Sequence, residues 1–98
     1  MPEYIQIVTF ESDDIDAVSA AANSVPVPDG VPKPLSVTLV ADRDRPGNYA
    51  TILRFASYEE AMAHSESDAT HERVAKISPH MKGEPGFYNL DVVDEMHP

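Results

Sequence analysis

The stretch NYATILRFASYEEAMAHSESDATHERVAKI, Asn48 to Ile77, decides how the chain folds. Its first nine residues are rich in strand formers. Tyr49, Thr51, Leu53 and Phe55 share one side, and Ala50, Ile52 and Arg54 share the other. At Ser57 the period changes. Ser57 with Glu60 three residues later forms a capping box, which satisfies the first free amides of a helix. Tyr58, Ala61, Met62 and Ser65 then make one side of a short helix. Ser65 or Ser67 can cap a second segment, where His71, Val74, Ile77 and Met81 recur at helical spacing. Pro79 has no amide hydrogen, so it ends that segment or bends its last turn. The stretch predicts a strand running into a helix broken in two.

Working outward, Leu35–Asp44 is a second β-rich run, with Leu35, Val37 and Leu39 on one face. It is joined to the Asn48–Ala56 run by Arg45-Pro46-Gly47-Asn48. Pro at the second place and Gly at the third suit a type II turn, so the pair reads as a hairpin. Pro26–Pro34, with four prolines and a glycine, is an extended connector. Ser12–Val25 reads as a helix capped by Ser12, with Ile15, Val18, Ala22 and Val25 as its apolar stripe. Glu3–Phe10 is a strand, Gly83–Gly86 a turn and Phe87–Asp94 a final strand.

The order is β-α-β-β-α-β, an α+β, ferredoxin-like arrangement in one domain over residues 1–98. Four antiparallel strands would carry the helices on one face. Ile5, Ile7, Val8, Phe10, Leu90, Val92 and Val93 leave both sides of the sheet apolar. A bare apolar face is costly in water, so the pattern predicts a homodimer in which two sheets close on each other.

Composition narrows the function. The 98 residues carry a formal charge of -10, from 17 acidic and 7 basic side chains, a surface that repels nucleic acid and anionic lipid. With no cysteine, thiolate nucleophiles, disulfides and thiolate metal sites are excluded. The chain shows no basic leader and no apolar run of about 18 residues, so no membrane association is expected and a cytoplasmic location is. No dinucleotide-binding glycine motif, phosphate-binding loop, H-E-x-x-H or nucleophile elbow occurs.

His64 and His71 are the candidate bases. An unbroken helix would put them on one side, but two histidines lack the third ligand a metal needs, and no metal is expected. The plainer reading has His64 capping or bridging the helix break and His71 on a rim. Arg54, in the middle of a strand, either orients an anionic substrate or pairs with a strand neighbour such as Asp42 or Asp91. Asn48, Tyr49, Tyr58, Phe55 and Phe87 are candidates to line a site for a small apolar or aromatic ligand; aromatics on strands more often fill a core or an interface.

Glu60, Ala61, His64, Ser67 and His71, set between the hairpin strand and "EPGFYNLDVV", resemble the signature of the dimeric α/β-barrel superfamily, and within it the antibiotic biosynthesis monooxygenase-like group. The likeness runs over most of the chain. It implies the barrel dimer and a cofactor-independent oxidation of a small aromatic or polyketide-type substrate. His64 or His71 would take a phenolic or enolic proton, and Arg54 or Asn48 would steady the anion. The alternative is a non-catalytic member that binds a small ligand or serves a stress-related role. Isomerase or lyase chemistry is a third expectation. The chain lacks the tryptophan of the quinone-forming and haem-degrading branches, and by likeness to the haem-degrading branch His64 stands at that place.

Overall fold

The computed structural model describes residues 2–97; Met1 and Pro98, the ends of the domain read from the sequence, lie outside the described residues. Its elements are β1 (Tyr4–Glu11), α1 (Ile15–Asn23), β2 (Ser36–Ala41), β3 (Asn48–Phe55), α2 (Tyr58–Ser65), α3 (Asp68–Ile77), a 3-10 turn (Ser78–His80) and β4 (Lys82–Asp91). The strands form one antiparallel sheet in the order β2-β3-β1-β4. This is the ferredoxin-like α+β arrangement expected from the sequence.

The register sorts side chains into two faces, because alternate residues of a strand point to opposite sides. Tyr4 lies opposite Phe55 and Asp91. Tyr4 and Phe55 pack with Ala61 of α2, and Leu53 and Met62 join them, so this is the helix side. Its further rows are Val37–Leu53–Gln6–Asn89 and Leu39–Thr51–Val8–Phe87. The opposite face carries three rows across the sheet. They are Ser36–Arg54–Ile5–Leu90, Thr38–Ile52–Ile7–Tyr88 and Val40–Ala50–Thr9–Gly86. Val40, Tyr88 and Leu90 are exposed there.

In the third row Gly86 carries no side chain for a steric reason. A Cβ on Gly86 would sit 2.5 Å from Thr9 Oγ1, closer than nonbonded atoms approach. At this point the β1–β4 register also shifts, so Thr9 faces Gly86 and Glu11 faces Lys82. The expected Gly83–Gly86 turn is thus part of β4. The chain bulges but stays beside β1, with Gly83 at φ +67°.

The hairpin turn forms as expected. Asn48 N–H donates to Arg45 O at 3.1 Å, and Gly47 takes φ +88°. Helix α1 is capped by Asp14, whose carboxylate accepts from Ala17 N–H at 3.1 Å, rather than by Ser12. Ser12 is buried and spent elsewhere: its hydroxyl donates to His80 O at 2.6 Å and accepts from Asp14 N–H at 3.0 Å. The helix ends at Asn23, two residues short of Val25, because Ser24 turns its N–H and hydroxyl back to Ala21 O.

Candidate functional site

Ser57 caps α2 through Glu60 N–H at 3.2 Å, which fixes where the helix leaves β3 and puts Ala61 and His64 on its buried side. The helix breaks after Ser65. Ser67, not Ser65, caps α3 by accepting from Thr70 N–H. The break converges on the His64 carbonyl, which accepts from Ser67 Oγ at 2.8 Å and Thr70 Oγ1 at 2.6 Å. The backbone of His64 is therefore held by two side-chain hydroxyls.

The residue is 5% exposed, and its ring lies 5.3 Å from the Phe55 ring, centroid to centroid. Nδ1 is 2.9 Å from the carbonyl oxygen of Pro32, in the proline-rich connector. A carbonyl oxygen only accepts, so Nδ1 carries the hydrogen in this contact. In the neutral ring Nε2 then holds the lone pair, the form needed in a proton acceptor. Next to this pair, Tyr4 meets Tyr58 edge-on at 5.4 Å. The Tyr4 hydroxyl is buried without a hydrogen-bond partner among the described residues. Burial above all, then Tyr58 and Asp91, holds this phenol above its ordinary pKa.

Of the residues singled out in the sequence, His64, Phe55 and Tyr58 thus come together, with Tyr4 between Phe55 and Tyr58. His71 is exposed on α3. Phe87 is 59% exposed on the helix side of β4, and Val37 and Leu39 are exposed on the same side of β2. Tyr49 stacks on Phe10 at 5.8 Å, near the hairpin. Asn48 starts β3, seven residues before Phe55, or about 23 Å of extended chain.

Arg54 stands on the face away from the helices. Its Nε bonds to Glu3 and its Nη2 donates to Glu95 at 2.8 Å. It is an ion-paired arginine, with Glu3 and Glu95 as partners in place of Asp42 or Asp91. The hydrogen bonds it donates to Glu3, then to Glu95, raise its pKa, and Arg54 lowers that of Glu95. Among the described residues no group of three metal-binding side chains occurs. No helix among the described residues is long and apolar enough to cross a membrane.

A trough of about 640 Å³ lies on the uncovered face near the hairpin, lined by Thr9, Val40, Asn48, Ala50, Lys82 and Tyr88 among others. It is on the other side of the sheet from His64. The Thr9–Gly86 row, having little side-chain bulk, leaves this hollow.

Sequence reasoning missed the Pro32 carbonyl; Tyr4 counts, with Tyr58 and Phe55, among the aromatic residues that could line an apolar pocket. Every residue has a carbonyl, so nothing in the sequence marks that one.

No family model and no curated protein matches the chain. Solved structures do. A candidate antibiotic biosynthesis monooxygenase from Caulobacter crescentus superposes with a TM-score of 0.80 at 20% identity, covering 95% of this chain and 92% of its own. Another from Bordetella bronchiseptica gives 0.78 at 12% identity, covering 95% and 99%. SnoaB, a cofactor-independent oxygenase from Streptomyces nogalater, gives 0.71 at 14% identity, covering 100% and 99%. The fold is that of the antibiotic biosynthesis monooxygenase-like proteins, over essentially the whole chain. At these identities the likeness speaks for the fold alone.

Proposed function

We propose that the protein works as a homodimer that binds a small aromatic or polyketide-type compound on the helix side of the sheet and oxidises it with dioxygen, without a cofactor. The observation that carries this reading is the buried His64 imidazole against Phe55, on the side of the sheet where Val37, Leu39 and Phe87 leave apolar side chains exposed. Nε2 of His64 takes a proton from a phenol or enol. The resulting anion is electron-rich at a ring CH carbon, which adds dioxygen. The hydroperoxide so formed loses water and leaves a carbonyl. One oxygen atom enters the product and the other departs as water. The uncovered face, with Ile5, Ile7, Ile52, Tyr88 and Leu90, supports the pairing of two sheets. The net charge of -10 favours solubility and a neutral or cationic ligand over nucleic acid.

A second reading, ligand binding without turnover, is favoured by one observation. Arg54 is neutralised by Glu3 and Glu95 on the far face, so it is not free to steady an anion beside His64. The test is dioxygen uptake with a panel of oxidisable phenols. Uptake by the wild type that falls at least about tenfold in His64→Ala supports oxidation, given the usual weight of a general base. Phenols that raise the melting temperature without uptake support the second reading.

A further inference from the structure

We infer that the proline-rich connector between α1 and β2 is a positioning strap for His64, and that the Pro32 carbonyl selects the tautomer in which Nε2 is free. The strap is fixed at both ends. Arg73 Nη2 donates to Val25 O at 2.8 Å where the connector begins, and Leu35 N–H donates to Arg54 O at 2.6 Å where it ends. Between them Val31 N–H donates to Pro28 O at 3.2 Å, with Gly30 at φ +87°, so the segment folds over a tight turn before it reaches α2.

The sequence suits this task. Pro26, Pro28, Pro32 and Pro34 have no amide hydrogen to donate, so the connector makes few internal hydrogen bonds and the Pro32 carbonyl is available to another group. The peptide that carries the Pro32 oxygen is confined on both sides. The Pro32 ring fixes one dihedral, and Lys33, which precedes Pro34, is restricted to extended conformations. The acceptor is therefore presented at little entropic cost. It meets Nδ1 at 2.9 Å.

In water a neutral histidine ring favours the hydrogen on Nε2. The strap reverses that preference. It leaves the lone pair on the nitrogen farther from the backbone, while the Ser67 and Thr70 hydroxyls hold the same residue by its carbonyl. Pro32 is thus a positioning residue, since it acts through His64. The assignment of the tautomer stands on geometry alone; its catalytic meaning rests on the function proposed above.

The test reads the ring itself. In ¹⁵N-labelled protein at alkaline pH, long-range proton–nitrogen spectra distinguish the two nitrogens of His64. We expect Nδ1 to be protonated and Nε2 bare in the wild type. A ring with its hydrogen on Nε2 would overturn the inference. In Pro32→Gly/Pro34→Gly the two nitrogen shifts should move toward each other as the tautomers mix; unchanged shifts in a folded variant would also overturn it. If that variant does not fold, Arg73→Ala frees one end of the strap without altering a connector residue, and the same shift decides. Dioxygen uptake is measured on the same samples. A bare Nε2 without uptake leaves the strap in place and removes the oxidation, whereas uptake with a protonated Nε2 does the reverse.

Discussion

Arg54 and His64 stand on opposite sides of the sheet. Phe55, the neighbour of Arg54 in β3, packs against the His64 ring, and strand alternation turns Arg54 away toward Glu3 and Glu95. The two candidates that the sequence offered for one site therefore do separate work. His64 belongs to the aromatic cluster under α2. Arg54 ties β3 to the chain on either side of the sheet's end.

The Arg54 network makes a prediction about acid. The hydrogen bond from Arg54 holds the Glu95 carboxyl below its ordinary pKa. A carboxylate lowered in the folded state adds stability above its unfolded pKa and loses it as pH falls through the folded one. The gap in stability between wild type and Glu95→Gln should be largest near neutrality and close on acidification. Both partners are part-exposed, so the gap should also shrink in strong salt. Urea titrations across pH measure it; a gap that persists into strong acid argues against the pair.

Phe55 is the most enclosed large side chain, 1% exposed, and both Tyr4 and His64 lie against it. Phe55→Ala should cost about 3–5 kcal/mol in chemical denaturation, the usual range for an aromatic removed from a core. A loss under about 1 kcal/mol would mean that this cluster is not the core.

Gly86 and Thr9 should be coupled. Gly86→Ala forces its new carbon onto Thr9 Oγ1, and a β-branched threonine yields poorly. The single variant should lose about 1–3 kcal/mol. Adding Thr9→Ala should restore most of it, so the double-variant cycle carries a clear interaction energy. Additive losses would contradict the contact.

Tyr4 has a buried hydroxyl with no partner among the described residues. Tyr4→Phe removes a group that contributes no hydrogen bond, so stability should stay level or rise by up to about 1 kcal/mol. The wild-type phenol should also titrate above the ordinary tyrosine range in ultraviolet absorbance. A loss of more than about 1 kcal/mol would reveal a hidden partner.

What the sequence made legible was what short-range chemistry determines. The Ser57 cap on Glu60 N–H, the Pro46-Gly47 turn and the alternation of Asn48–Phe55 each rest on residues a few places apart, and each is present. The misses were long-range or competitive. Ser12 reads as a cap, but His80, 68 residues later, takes its hydroxyl, and Asp14 serves instead. Arg54 pairs with residues 51 and 41 positions away, which no local pattern reveals. Gly83–Gly86 looks like a turn until β1 is laid beside it and the backbone finds partners there. At the site, His64 and Phe55 were visible as candidates, while the Pro32 carbonyl was not, since its meaning comes only from the folded connector.

The face formed by Ile5, Ile7, Ile52, Tyr88 and Leu90 underlies the proposed dimer, because the helices cover only the other side of the sheet. Sedimentation velocity at low micromolar concentration tests it most directly. A single species of twice the chain mass is expected. A stable, folded species of one chain mass would contradict it.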